Sequence, residues 1–416
     1  MHFRVWNPIC YTRGMFLGQK HCPDCEPAQV NHFLMRTSSY AGLVIKPMLR
    51  PFYFLVRLFS PKSFSWFDIV APPLLRLLAW LHIGVLETEP KKDDSDRTRC
   101  LWEEARRRNI DMWMFRLGSI KDLFIARYGR ETICFDGLPR PAGPEANSLH
   151  WMDDKPVMRR RFKAAGIPVA NGNFAFSEKR ALEIFRALQK PVIVKPHSGS
   201  RSRHTTIHIE SEEGFRKAFW RAKELSPFAL IEEELAGMVH RGTLIGGKLV
   251  GVIRREPPHA VGDGKHTVRE LIALENRNKK RQGGTFHEIT MGPEAEAELL
   301  RQKLAGESIP REGRLVTLNQ KVSRGIGASN TDVTQKTHLE NRKLLEKIGA
   351  VLGDPLVGVD FIMEDAGVPW QRQERCGVIE CNSLPFIDLH HYPLYGEPRN
   401  IAGELWNLIF PDSAWI

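Results

Sequence analysis

GVIECNSLPF, residues 377–386, is the stretch on which the reading of this chain turns. An apolar run leads into Glu380, one residue intervenes, and Asn382 follows. Strand alternation sends Glu380 and Asn382 to the same face. Upstream, Asp360 lies in a second apolar run, PLVGVDFIM. Two carboxylates and one amide oxygen are hard donors that suit Mg2+ and leave coordination positions open for phosphate oxygens. The pattern predicts that Asp360, Glu380 and Asn382 converge on one point, and it points to nucleotide-phosphate chemistry near the C-terminal end.

The remaining composition is that of a soluble enzyme. A chain of 416 residues has room for two or three domains. Hydrophobic residues make up 42%, enough for sizeable cores, and the net charge of +11 favours anionic ligands. No nucleic-acid motif accompanies that charge, so nucleic acid is not the expected partner. MHFRVWNPICYTRG lacks the apolar core of a cleavable signal. The most hydrophobic stretch, residues 69–86, is interrupted by Pro72, Pro73, Arg76 and His82, which argues against a membrane span. The basic, aromatic run before it is compatible with an anionic membrane surface. Buried helices with snorkelling bases are the favoured reading.

Seven scattered cysteines do not make a disulfide framework, and a reducing cytoplasm is the default location. HCPDC, with His21, Cys22 and Cys25, is half of a zinc site that Cys10 and His32 could complete. No second Cys-x-x-Cys exists, so a turn without metal is the favoured reading.

Three parts follow from composition. Residues 1–97 are a basic, Pro-rich, partly helical extension. Residues 98–148 read as a helix, a strand and a hairpin-like pair, closed by LPRPAGPEAN. From 149 to 416, strands and helices alternate as in an α/β or α+β enzyme. Within this last part, PVIVK forms a strand that presents Lys195, and HSGSRSR turns back into a second strand, TTIHI. Such a small-residue loop can fold over phosphates through backbone N–H groups and hydroxyls, although many ordinary hairpins carry Gly and Ser. Lys155 stands ahead of a helix. FALIEEELAG is a strand ending in acids, either a solvated run or a hinge that reads an adenine edge. Arg254, Arg255 and Lys265 are cations suited to phosphate or a substrate carboxylate, or are simply an exposed basic hairpin.

The order of these pieces resembles the ATP-grasp superfamily. The motifs are MDDK…AGIPV, PVIVKP with its Gly/Ser loop, LIEEELAG, RREPPHAVGDGKHTVREL, NTDVT, GVDF and IECNSLP, spread over residues 98–410. VGDGKHTVREL is the most specific, and it is similar to a stretch in the ATP-grasp domains of cyanophycin synthetases and bifunctional glutathione synthetases. The resemblance implies an α+β ATP-grasp fold with an N-terminal pre-ATP-grasp domain over 98–148. It implies a nucleotide-binding subdomain over about 149–235 and a metal and substrate lobe over about 236–416, with ATP between lobes. It also implies ATP-dependent carboxylate–amine ligation through an acyl phosphate. Carried over by motif, Lys155 and Lys195 contact ATP, with Ser198, Gly199, Ser200 and Ser202 over its phosphates. Glu232 and Leu235 read the adenine. Asp360, Glu380 and Asn382 hold Mg2+, for which Mn2+ can substitute. Arg255 and Lys265 serve the transfer step. The implied partners are a small carboxylate and an amine, one of them an amino acid or peptide, and self-association is compatible with the reading.

The chain departs from the family pattern in three places. Val239 stands where an acid is expected to hold the ribose, Arg203 replaces a loop glycine, and Arg324 and Ile326 break the small-residue run before NTDVT. The alternative reading is an ATP-binding regulatory or scaffolding protein without turnover; the intact metal triad and both lysines favour an enzyme.

Overall fold

The structure is a computed structural model. It describes Cys22, Cys25, residues 29–42, Ile45 and Met48, and 65–414 apart from 119, 142–147, 149–150, 153, 198–202 and 283–284. The chain forms two compact units: Met1–Ser60 with Ala170–Leu235, and Pro61–Val169 with Ala236–Ile416.

The larger unit opens with helix α1 (Ser65–Trp80), strand β1 (Val85–Glu87), helix α2 (Asp96–Arg107) and strands β2 (Asp111–Leu117), β3 (Ile120–Tyr128) and β4 (Glu131–Asp136). The four strands make an antiparallel sheet in chain order. Residues on both its faces are apolar, so both faces are covered. Met112, Met114, Phe124 and Phe135 pack with Leu101 and Trp102 of α2. Phe115, Ile125 and Cys134 take Ala71 and Leu75 of α1. The other side of α1 leaves Ile69 and Trp80 more than two-thirds exposed, and the basic, aromatic run before it lies almost wholly outside the described residues. No helix among the described residues is long and apolar enough to cross a membrane. Helix α2 starts where the Ser95 hydroxyl accepts from the Thr98 N–H, and it ends with Arg106 and Arg107 at its negative pole.

Helix α3 (Lys155–Ala164) also belongs to the larger unit. Met158, Phe162 and Ile167 sit in its core, which is why residues 149–169 fall outside the unit that holds 170–235.

The smaller unit contains β5 (Gly172–Ala175), α4 (Glu178–Ala187), β6 (Val192–Pro196), β7 (Thr206–Ile209), α5 (Glu212–Lys223) and β8 (Ala229–Glu233). Its antiparallel sheet runs β5-β8-β6-β7. Val192, Val194, Ala229 and Ile231 alternate onto the face covered by Leu182 and Phe185 of α4 and Phe215 and Phe219 of α5.

The rest of the larger unit is β9 (Met238–Ile245), β10 (Lys248–Glu256), β11 (His259–Val261), α6 (Val268–Asn276), α7 (Pro293–Arg301), β12 (Leu315–Thr317), β13 (Ser329–Asp332), α8 (Leu339–Leu352), β14 (Leu356–Met363), β15 (Gly377–Asn382), α9 (Asp388–His391) and α10 (Ile401–Ile409). A five-stranded antiparallel sheet runs β13-β10-β9-β14-β15, and β11 pairs with β12. The β9–β10 hairpin closes through Gly246 and Gly247 at φ +58° and +79°, the left-handed pair that a tight two-residue turn requires.

Candidate functional site

In the five-stranded sheet, Leu244, Val252, Val357, Val359, Phe361 and Cys381 face Leu344, Leu345 and Ile348 of α8. The residues between them must face the other way. That opposite face carries Arg241 and Thr243 on β9, Arg255 on β10, Asp360 on β14, and Glu380 and Asn382 on β15. Asp360 stands directly opposite Arg241 on one side and Glu380 on the other. Asn382 lies two residues along from Glu380, opposite Gly358. The three metal-ligand candidates thus share one face of two paired strands.

Arg241 was not singled out from the sequence, and it dominates the local electrostatics. Its Nε and Nη2 donate to Asp360 Oδ1 and Oδ2 at 2.6 and 2.5 Å, and both side chains are buried. Burial by itself raises the Asp360 carboxyl; the Arg241 guanidinium outweighs it, and the net shift is downward. Arg255 donates from Nη2 to the Val322 carbonyl at 2.7 Å. Burial first, then repulsion from Arg241, pushes Arg255 below its ordinary value, with Arg324 adding to it. A guanidinium crowded by other cations in this way gains from an anionic ligand.

Two carboxylates and two guanidiniums leave this face near neutral. A bare divalent cation would meet two arginines here. A divalent cation arriving with phosphate oxygens would find carboxylate donors for the metal and guanidiniums for the phosphates. Each Asp360 oxygen has a lone pair beyond the one used by Arg241, and Glu380 is exposed. The donor set therefore fits Mg2+ held together with a polyphosphate.

Strand alternation separates Arg254 from Arg255. Arg254 pairs with Glu256 at 3.0 Å and, with Thr331 and Tyr395, lines an open cavity of about 630 Å3. Lys265 is exposed in the turn before α6. That turn explains why its sequence is so recognisable. Asp263 Oδ1 accepts the N–H groups of Lys265 and His266, and Thr267 and Glu270 close a capping box on α6. Arg324, one of the family departures, pairs with the buried carboxylate of Asp388 at 2.6 Å. Val239 sits opposite Arg255 and Ile362, half-buried. His390 is fully buried, with Nε2 2.8 Å from Thr243 Oγ1, and burial pushes it down to about 3. His391 Nε2 accepts the Ala402 N–H at 2.9 Å, so both histidines serve packing and hydrogen bonding. Lys155 opens α3, half-buried, beside its Asp154 cap.

In the smaller unit, Lys195 and Glu232 lie on the sheet face away from α4 and α5. Lys195 Nζ meets Glu232 Oε2 at 2.5 Å. Ile193 stands opposite Glu232 and Lys195 opposite Leu230, so the pair is diagonal across β6 and β8. Leu235 follows β8 and is half-buried. Ser198, Gly199, Ser200 and Ser202 lie outside the described residues.

No family model matches the chain. Cyanophycin synthetase from Crocosphaera subtropica is 30% identical over 267 residues, which are 63% of this chain and 30% of that protein. The glutathione biosynthesis bifunctional protein GshAB from Pasteurella multocida is 28% identical over 269 residues, covering 63% and 36%. The chain spans about a third of the length of the curated relatives it matches. A crystal structure of a bifunctional glutathione synthetase from Pasteurella multocida superposes with a TM-score of 0.57 at 24% identity, over 76% of this chain and 43% of that one. The fold is an ATP-grasp fold. Its antiparallel sheets belong to that architecture, and the sequence resembles the ATP-grasp domain of both relatives.

Proposed function

We propose that this chain is an ATP- and Mg2+-dependent carboxylate–amine ligase, with an amino acid or peptide as at least one substrate. The observation that carries the reading is the register of β14 against its neighbours, with Asp360 between Arg241 and Glu380. The names of the similar proteins, a cyanophycin synthetase and a glutathione biosynthesis protein, support the same reaction class.

In this reading Asp360, Glu380 and Asn382 hold Mg2+, which neutralises charge on the phosphates. Lys195 and Lys155 contact the nucleotide, and Glu232 and Leu235 meet the adenine. Arg255 steadies the transferring phosphoryl group, with Lys265 beside the substrate. The substrate carboxylate attacks the γ-phosphorus and ADP leaves. The amine then attacks the acyl carbon and phosphate departs, carrying one former carboxylate oxygen. The protein's part is positioning and charge neutralisation, with no side-chain nucleophile.

The test is a phosphate-release screen over amino acids and short peptides, followed by a carboxylate labelled with 18O. Label in free phosphate together with ADP supports the proposal. AMP and pyrophosphate as products overturn it in favour of adenylation.

A further inference from the structure

The Cys-x-x-Cys stretch that function leaves unused has found, besides the nearby His32, a partner that its own neighbourhood in the sequence does not supply. Cys22 Sγ and Cys25 Sγ each lie 3.5 Å from His204 Nε2, and Cys25 Sγ lies 3.3 Å from His32 Nε2. One ligand atom from each of Cys22, Cys25, His32 and His204 falls within 4.8 Å of all the others. All four belong to the smaller unit.

The distances are those of a metal tetrahedron. With Zn–S of about 2.3 Å and Zn–N of about 2.0–2.1 Å, a tetrahedral ion separates its sulfur and nitrogen ligands by about 3.6 Å. The rings are also oriented for it. His204 Nδ1 donates to the Arg221 carbonyl at 2.9 Å. The Glu224 carboxylate lies 3.5 Å from Nδ1 of both His32 and His204. With the proton on Nδ1, each Nε2 presents its lone pair toward the thiols, the arrangement that outer carboxylates and carbonyls impose on zinc-bound histidines. The two rings meet edge to face, with centroids 4.7 Å apart.

The backbone is shaped to match. The Cys25 N–H donates to the Cys22 carbonyl at 3.1 Å, which closes the turn between the cysteines. Gln29 clamps that turn from outside, accepting from the Cys22 N–H at 3.0 Å and donating to its carbonyl at 2.8 Å. His204 is 1% exposed and holds φ at +51°. A left-handed, buried, non-glycine residue is a strained choice, and such strain marks positions where the side chain must point in one direction.

We propose that Cys22, Cys25, His32 and His204 form a structural zinc site. Two thiolates and two imidazoles in tetrahedral disposition select Zn2+ over the hard cations suited to the ligase face. Four protein ligands leave no open position for a water or substrate, so the ion's role is to tie Cys22, Cys25 and His32 to the stem of β7. The site stands independently of the ligase reading.

The test uses the full chain without a histidine tag. Metal analysis of the purified protein should give about one zinc per chain. Stripping with a chelator and adding Zn2+ alone should restore it and raise the melting temperature by about 5–10 °C. Co2+ in place of zinc should give the visible bands of a tetrahedral sulfur–nitrogen site. Cys25→Ser and His204→Gln should lose the metal, whereas Cys376→Ser should keep it. Should Cys25→Ser fail to fold, thiol titration of the unaltered chain decides instead: zinc should shield two cysteines that react after stripping. The proposal is overturned by a chain without zinc that does not take it up, by bound iron, by a Cys22–Cys25 disulfide in the freshly purified protein, or by zinc that stays bound in both ligand variants.

Discussion

The four-stranded sheet of the smaller unit turns Val192, Val194, Ala229 and Ile231 toward its helices, and the five-stranded sheet turns Leu244, Val252, Val357 and Val359 toward α8. Their opposite faces differ. The first carries the diagonal pair Lys195–Glu232, with the lysine partly open to solvent. The second carries Arg241 and Asp360 in a buried bidentate pair, with Arg255, Glu380 and Asn382 around them. The comparison separates two jobs that a charged residue can hold. A buried pair is expensive to break because the partner left behind stays desolvated. A charge nearer the solvent can be removed at little cost to the fold, so its loss reports on ligand binding.

The sharpest way to break this comparison is at Arg241. Arg241→Met should leave Asp360 buried without its counter-charge and cost about 3–5 kcal/mol in urea unfolding. Adding Asp360→Leu should recover most of that loss, since a well-packed apolar pair often replaces a buried ion pair at no net cost. A single variant as stable as the parent chain would show that the pair is not closed to solvent.

Glu380 should behave in the opposite way. It is exposed on β15, and Glu380→Ala should leave unfolding within about 0.5 kcal/mol of the parent. Turnover should fall on the order of 10²–10³-fold through lost charge stabilisation at the transfer step. A drop in stability without a drop in turnover would move Glu380 from the site to the scaffold.

Lys195 tests the smaller sheet. Lys195→Ala removes a charge-assisted contact worth roughly 1.5–3 kcal/mol, so the dissociation constant for ATP should rise about tenfold or more. It also removes one partner of Glu232, which is 6% exposed. The double variant with Glu232→Gln should regain stability and not affinity. Unchanged ATP binding in Lys195→Ala would confine the pair to a structural role.

What the sequence made legible follows the reach of its periodicities. Glu380 and Asn382 were paired by alternation within one strand, and the strands over 111–136 were read from their apolar runs. The register that sets Asp360 opposite Glu380 and Arg241 depends on which strands become neighbours, and no local pattern encodes that. Arg241 was hidden for this reason, although its alternation with Val239 and Thr243 carried the hint. His204 is 182 residues from Cys22, so only the folded chain brings it to the cysteines. Residues 149–169 join the larger unit through Met158, Phe162 and Ile167, generic core residues whose destination depends on what they pack against.

The smallest expected effect is a pH dependence seated on the charged face. His390 touches Thr243 there, and burial followed by the Arg241 charge holds it at about 3 against an ordinary value of 6.5. In the native state it stays neutral down to that range, whereas in the unfolded chain it takes up a proton below about 6.5. The unfolded state therefore binds more protons as the pH falls. The stabilisation is fully present above about 6.5 and is lost progressively as the pH drops toward about 3. His390→Gln keeps a polar group near Thr243 and removes this titration. Between pH 6 and 4 the parent chain should lose stability more steeply than the variant, by up to about 1.4 kcal/mol per pH unit, the slope of one proton. Urea unfolding at several pH values measures both slopes. Parallel slopes would mean that His390 becomes hydrated and protonated in the native state.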